Sequence, residues 1–223
     1  MITRRNLLVG ASVVALVVAV GGIEALTAAQ PAAAQSATAA ELLVPPPLGD
    51  RVLGKDDAPV TIVEYASMTC PHCAHFHETT YPELKKRYID TGKVRFIFRE
   101  FPLDELAVAA SMMARCAGKD DSAKAMALID VLFASQEKWA ASRTNPVPIL
   151  QQIGKQAGMT EKAFDECLKD QTLYNNIMAV RERGSKEYKV ESTPTLFVNG
   201  KLQKGGATIE DLDKLIVPLL PKS

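Results

Sequence analysis

The sequence predicts an α/β protein in which a sheet with helices on its faces is interrupted by a long helical insertion. Two observations predict this class. Strand-like segments, rich in β-branched and aromatic residues, occur at 60–65, 94–99 and 195–202, which is typical of a buried sheet. Between the second and third of these segments, residues 103–184 show the spacing of apolar residues that is typical of helices. The order of these segments predicts a layered sheet and a separate helical block.

The composition excludes several classes of protein. The chain has 223 residues, with 26 Lys and Arg against 26 Asp and Glu. Zero net charge argues against a nucleic-acid binder. Four cysteines are too few for a disulfide-dense scaffold, but they suffice for one reactive and one structural pair. We therefore expect one domain with a sizeable core and no nucleic-acid partner.

Residues 1–34 are predicted to be a cleaved signal peptide. Arg4 and Arg5 precede an apolar run over residues 7–23, and residues 32–34 are alanines that suit a cleavage site. The paired arginines also resemble a twin-arginine export signal. A retained anchor is the alternative, although a run of about 17 residues is short for a bilayer. Export implies an oxidising compartment, and we expect the bacterial periplasm.

The ordered domain is predicted to follow a flexible linker. Residues 35–50 are rich in Ala, Ser and Thr and end in the prolines of 45–47, which donate no backbone hydrogen bonds. We assign residues 51–102 and 185–223 to the sheet domain. Residues 103–184 form the inserted helical domain.

The first half of the sheet domain has a strand–helix–strand pattern. Residues 60–65 are apolar and β-branched, as in a buried strand. Residues 72–88 are predicted to be helical, with a kink at Pro82 and an end near Gly92. Residues 94–99 show an alternating pattern of side chains and include aromatic residues, which predicts the second strand.

Glycines and prolines divide the helical insertion. Gly118, Gly158 and Gly184 stand where helix C-termini are expected. Residues 145–148, Asn-Pro-Val-Pro, interrupt the stretch. The insertion is therefore predicted to contain several helices.

The end of the chain predicts a hairpin and a final helix. Residues 195–198 read as a strand, and Asn199-Gly200 is a strong signal for a hairpin turn into Lys201-Leu202. An amphipathic helix is predicted over 209–220, with Thr208 as its N-cap.

The strongest chemical signal is Cys70-Pro71-His72-Cys73, at the junction of the first strand and the first helix. Two cysteines with this spacing and context are typical of a redox pair. The free N–H groups and the dipole of the helix start favour a thiolate on Cys70, and the thiolate is the attacking species. We expect Cys70 to be the more exposed nucleophile and Cys73 the buried resolving thiol. His72 adds a donor near Cys70.

Zinc binding is the main alternative use of such a motif. Cys73 and His77 lie on one helix face, and His75 is close. A structural zinc site needs four ligands, whereas Cys70, Cys73 and His77 are three. We therefore expect no metal and no other cofactor, with His75 and His77 on the helix surface.

The chain resembles the bacterial periplasmic thiol:disulfide oxidoreductases of the DsbA-like family, within the thioredoxin superfamily. Three segments carry the resemblance: Ala58–Tyr65, Thr69–Phe76 and Ser192–Gly200. It extends over roughly residues 50–220. The resemblance implies a thioredoxin fold with an inserted helical domain and the activity of a protein dithiol oxidase.

The resemblance also implies roles for individual residues. Cys70 and Cys73 match the redox pair of the family, and Pro194 matches its cis-proline, which faces that pair. Thr193 precedes this proline, where the family tunes the redox pair and pairs its backbone with an extended substrate. Glu64 matches an acidic residue beneath the active site that relays protons to and from Cys73. The alternative for Glu64 is a surface carboxylate at a strand end.

Cys116 and Cys167 form a second candidate pair. Both face inward by helical spacing, Cys116 with Met113 and Cys167 with Phe164. In an exported protein we expect them to form a structural disulfide between two helices of the insertion, worth about 4 kcal/mol in the chain-entropy model. Free buried cysteines are the alternative.

We therefore expect a monomeric periplasmic oxidase that donates the Cys70–Cys73 disulfide to unfolded, newly exported proteins through a mixed disulfide. The family implies reoxidation by a membrane quinone-linked partner of the DsbB type. One alternative is a disulfide isomerase or reductase with the same site. The other is a periplasmic protein that binds copper or zinc.

Overall fold

The structure is a computed structural model, and it describes residues 39–142, 145–204 and 207–221. The predicted signal peptide and residues 35–38 of the predicted linker lie outside these ranges. None of the helices in the described ranges has both the length and the apolar character that crossing a bilayer demands.

A five-stranded sheet forms the centre of the fold. Its strands, in the order β1-β3-β2-β4-β5, pair antiparallel except for the parallel pair β2 and β3. The sequence analysis did not predict β1, which is only three residues long. The strands are β1 Arg51–Leu53, β2 Val60–Ala66, β3 Val94–Glu100, β4 Thr195–Val198 and β5 Lys201–Lys204.

The register brings two distant loops to the same edge of the sheet. In the antiparallel pair β2 and β4, Tyr65 lies opposite Thr195. The loop after β2 leads to Cys70, and the loop before β4 contains Thr193 and Pro194. These two loops therefore meet although they are far apart in the chain.

The described helices cover the sheet and build the insertion. Five of the described helices begin at an Asp or Thr N-cap whose side chain accepts a hydrogen bond from the backbone N–H group three residues ahead. These N-caps are Asp104, Asp121, Thr160, Asp170 and the predicted Thr208. The π-helical turn Lys85–Ile89 extends α3. The helices are α1 Ala39–Leu43, α2 Pro71–Thr79, α3 Tyr81–Leu84, α4 Glu105–Gly118, α5 Ser122–Ala134, α6 Gln136–Trp139, α7 Val147–Gln156, α8 Glu161–Leu168, α9 Gln171–Tyr188 and α10 Ile209–Ile216.

One apolar core runs from the sheet into the helical insertion. Phe76 of α2 and Phe96 of β3 belong to the same buried cluster as Phe133, Trp139 and Phe164 of the insertion. Burial of large aromatic side chains supplies much of the driving force for such packing. The insertion is thus attached to the sheet through shared core.

One of the three predicted glycine C-termini is wrong, since α4 ends at Gly118 and Gly158 follows the end of α7. Gly184 lies inside α9, where a Cβ atom would stand 2.8 Å from the Tyr65 ring. Gly118 is helical as well, and a Cβ there would stand 2.5 Å from Ala125. Both glycines therefore permit close packing. Gly158 does follow a helix end, with a φ of +87°.

Residues 39–50 differ from the predicted flexible linker. Leu42 of α1 is 2% exposed. The Arg99 guanidinium donates to both carboxylate oxygens of Asp50, at 2.7 and 2.9 Å, and Arg115 donates to two backbone carbonyls of the segment. The composition of residues 39–50 indicated an extended chain, but composition carries no information on distant partners. Arg99 of β3 and Arg115 of α4 fix the segment.

Candidate functional site

Cys70 occupies the N-cap of α2, at the end of the loop that follows β2. Its N–H group donates to the Ser67 carbonyl, and its own carbonyl accepts from the N–H groups of Cys73 and Ala74, each at 3.1 Å. Pro71 follows as the first helical residue, a position where its missing N–H costs nothing. The local sequence thus places the Cys70 sulfur at the positive end of a helix.

The surroundings of Cys70 stabilise its thiolate. A hydrogen bond from the Cys73 thiol is the largest cause, and it lowers the pKa of Cys70 to about 5 although burial acts in the opposite direction. Thr193 and the backbone N–H groups of His72 and Cys73 lower the pKa further. In the thiol form the sulfur donates to the Thr193 carbonyl at 3.3 Å. His72 thus acts through its backbone, since its side chain is exposed.

Cys73 has the opposite character. Its side chain is fully buried, and burial raises its pKa far above the ordinary value. The hydrogen bond to Cys70 and the charge of Glu64 raise it further. One thiol of the pair is therefore ionised at neutral pH while the other keeps its proton.

The loop before β4 faces this pair. The peptide bond between Thr193 and Pro194 is cis, and both residues are buried. The Thr193 hydroxyl is buried and, within the described ranges, has no hydrogen-bond partner other than the Cys70 thiolate. The structure thus brings the backbone of Thr193, the residue before Pro194, to the Cys70 sulfur.

Gln136 is a site residue that the sequence analysis missed. It is buried at the start of α6, and its Nε2 atom donates to the carbonyls of Met68 at 2.8 Å and Cys70 at 3.0 Å. The insertion therefore holds the backbone of the redox loop directly. No local pattern marks this glutamine, because its two acceptors lie more than 60 residues away.

Glu64 is buried in the middle of the sheet. Its side chain is fully inaccessible, and Oε2 lies 3.0 Å from Nε2 of His77. Oε1 has no hydrogen-bond partner among the described residues. The alternative of a surface carboxylate is thus wrong, and Glu64 lies close enough to raise the pKa of Cys73 through its charge.

The prediction that His77 lies on the helix surface is wrong. Its side chain is 1% exposed, stacks on Phe133 at 4.4 Å and places Nδ1 3.1 Å from Asp130. Burial lowers the pKa of His77, but Glu64 and Asp130 outweigh it and raise the pKa to about 9. The four-residue spacing from the buried Cys73 was a signal for this burial. His75, in contrast, is exposed as predicted.

The remaining cysteines are joined in the insertion. Cys116 of α4 and Cys167 of α8 form a disulfide with a Cα–Cα distance of 6.2 Å. Cys70 and Cys73 are free thiols. Within the described ranges, no three His, Cys, Asp or Glu side chains are grouped so that they could hold a metal ion.

Comparison with known sequences identifies the family. The Thioredoxin family profile matches residues 48–217. A Rickettsia bellii protein named "Putative protein-disulfide oxidoreductase" is 39% identical over 151 residues, which are 68% of this chain and 57% of that protein. The chain therefore spans less than two thirds of the length of this relative.

Solved structures agree with the sequence comparison. α-DsbA1 of Wolbachia pipientis matches with a TM-score of 0.75 and 30% identity over 82% of this chain and 96% of that one. Oxidised BdbD of Bacillus subtilis matches with a TM-score of 0.68 and 27% identity, over 76% and 92% of the two chains. The chain belongs to the thioredoxin family, in its DsbA-like branch, and has the predicted thioredoxin fold with an inserted helical domain.

Proposed function

We propose that this protein is a periplasmic thiol:disulfide oxidoreductase that donates the Cys70–Cys73 disulfide to newly exported proteins. One observation carries the proposal: the two thiols of the pair differ strongly in acidity. Cys70, with a pKa of about 5, is a thiolate at neutral pH. Cys73 is buried and protonated. This asymmetry suits Cys70, which is 5% exposed, as the attacking residue and the fully buried Cys73 as the resolving residue.

The proposed reaction has two exchange steps. A substrate thiolate attacks Cys70 Sγ, the bond to Cys73 breaks, and its electron pair stays on Cys73, which takes up a proton with Glu64 as the relay. A second substrate thiolate then attacks the substrate sulfur of the mixed disulfide, and Cys70 leaves as a thiolate. The substrate loses two electrons, and the protein gains them.

The acidity of Cys70 sets the direction of exchange. A stabilised thiolate favours the reduced protein, and it therefore makes the disulfide a stronger oxidant. We expect a reduction potential above about −200 mV, towards the value of about −120 mV of strong thiol oxidants and away from about −270 mV of thioredoxin. A value near that of thioredoxin would point to a reductase or isomerase.

The proposed setting is the bacterial periplasm. The predicted signal peptide supports it. The substrate would dock with extended backbone beside Thr193 and Pro194, and a quinone-linked membrane protein of the DsbB type would reoxidise the monomeric protein. Cell fractionation, with mass determination of the mature N-terminus, tests export and cleavage.

Reoxidation of reduced, unfolded ribonuclease tests the activity. The wild type is expected to accelerate recovery of ribonuclease activity, and Cys70→Ala is expected to abolish the acceleration because no mixed disulfide forms. The double variant Cys116→Ala/Cys167→Ala is the matched control, since it also removes cysteines but leaves the redox pair. Equal rates for wild type and Cys70→Ala would contradict the proposal.

A further inference from the structure

We propose that His77 is a positioning residue: fixed by Asp130 of the insertion, it holds the Glu64 carboxylate in the orientation from which it takes up the proton of Cys73. This inference rests on the proposed function, because Cys73 must lose its proton before its sulfur can close the disulfide with Cys70. It assigns a task to His77, which the two exchange steps leave unused.

His77 binds only one of the two oxygens of the Glu64 carboxylate. Both Glu64 and His77 are buried, and they are joined through one carboxylate oxygen, Oε2, at 3.0 Å. The other oxygen, Oε1, has no partner in the described part of the chain. A buried carboxylate oxygen without a donor is costly, and it is free to accept a proton. The effect of Glu64 on the acidity of Cys73 indicates that the two groups interact.

The imidazole ring of His77 is held rigidly by its neighbours. His77 lies between the rings of Phe133, at 4.4 Å, and Tyr81, at 4.6 Å. Nδ1 is fixed by Asp130 at 3.1 Å. Because both the ring plane and one nitrogen are fixed, Nε2 remains directed at Glu64.

The groups packed around His77 determine its charge. The groups that face His77 are Glu64 on β2, Asp130 on α5, Tyr81 on α3 and Cys73 on its own helix. Burial raises the pKa of Tyr81, which stays neutral. The two carboxylates raise the pKa of His77 to about 9, so that the imidazole is a cation at neutral pH. The imidazolium donates from both nitrogens, Nε2 to Glu64 and Nδ1 to Asp130, and so holds the Glu64 carboxylate in place.

The step in which Glu64 acts is the closing of the disulfide. In a mixed disulfide between Cys70 and an oxidant, the Cys73 S–H bond breaks and its proton goes to Oε1 of Glu64. Cys73 Sγ bonds to Cys70 Sγ, and the electron pair of the mixed disulfide leaves on the oxidant's sulfur. The cysteine pair loses two electrons, and the oxidant gains them.

Oxidation of the reduced protein by oxidised glutathione tests this step. Acid quenching and mass spectrometry follow two phases: formation of the Cys70–glutathione mixed disulfide, then its closure by Cys73. In His77→Gln the first phase is expected to stay unchanged, because it needs only Cys70. The second phase is expected to slow by about 100-fold at pH 7, since the Glu64 carboxylate loses the imidazolium that holds it.

Two further variants sharpen the test. His77→Lys retains a cation and is expected to restore the second phase at pH 7. His75→Gln, which changes an exposed histidine of the same helix, is the matched control and is expected to behave as the wild type. An unchanged second phase in His77→Gln at every pH would overturn the inference.

A second variant separates a loss of folding from a loss of the proposed role of His77. If His77→Gln does not fold, Asp130→Asn replaces it, because this side chain is 42% exposed. Its second phase is expected to slow, because Nδ1 of His77 loses the carboxylate that fixes it, and a wild-type rate would overturn the inference. Failure to oxidise ribonuclease, with the two glutathione phases intact, would contradict the proposed function alone.

Discussion

The acidity of Cys70 depends on groups from both loops of the site. Reduced protein is expected to show thiolate absorbance at 240 nm with a midpoint near pH 5. Cys73→Ala is expected to raise this midpoint, because the Cys73 thiol contributes most to the low pKa. A midpoint near the free-cysteine value of about 8.5 in the wild type would contradict the assignment of Cys70 as nucleophile.

The same group makes the stability of the reduced protein depend on pH. The pKa of Cys70 is lower in the folded than in the unfolded chain, so its contribution is fully present above about pH 8.5 and is lost as the pH falls towards 5. The oxidised protein lacks this group. Urea unfolding of both forms should therefore show the reduced form gaining stability over the oxidised form between pH 5 and 8.

Gln136 offers a test of how the insertion supports the redox loop. Gln136→Ala leaves the buried carbonyls of Met68 and Cys70 without their side-chain donor, and it is expected to lower the free energy of unfolding by about 1–3 kcal/mol. Gln152→Ala, on the exposed side of α7, is the control and should change it little. Equal urea midpoints for the two variants would refute the expected role.

The site was predictable from sequence only where local pattern carried the signal. Cys70 and Cys73 stand in a recognisable motif between a strand and a helix, and the family pattern pointed to Glu64 and Pro194. His77 was misjudged because its burial depends on Phe133 and on Asp130, which come from a distant helix. Local spacing alone cannot reveal such partners.

At the scale of the elements, the disulfide joins α4 to α8 across a separation of 51 residues. Cys116→Ala/Cys167→Ala is expected to lower the free energy of unfolding by about 4 kcal/mol, because the loop is no longer closed in the unfolded chain. Glutathione exchange at Cys70 should persist. Non-reduced peptide mapping that finds two free thiols in the native wild type would contradict the expected effect.

Element type was more predictable than element ends. The β-branched run of β2 and the Asn199-Gly200 turn, with φ values of 44° and 80°, were clear because local backbone preferences determine them. Gly184 was misplaced because a glycine can end a helix or admit a neighbouring ring, and only the tertiary contact with Tyr65 decides which. The short strand β1 has no pattern of its own and depends on pairing with β3.

At the scale of the molecule, arginines fix the N-terminal segment to the body. Arg99 and Asp50 are both nearly inaccessible, so Asp50→Ala would leave a buried cation unpaired and is expected to cost about 3–5 kcal/mol. Asp56→Ala is the matched control, because Asp56 pairs with Arg95 at the surface and is 95% exposed; it should cost less than about 1 kcal/mol. Similar urea midpoints for the two variants would exclude this anchoring role.

The strand order has a consequence for synthesis. β2 lies inside the finished sheet, but its neighbour β4 is translated only after the whole insertion, and Thr193 follows Cys70 by 123 residues. A nascent chain therefore carries β2 as an open edge, the kind of surface that recruits other strands and promotes aggregation. If translation stops before Thr195, the released polypeptide exposes both Cys70 and the open edge of β2. Protection by chaperones therefore matters most while the insertion is being translated.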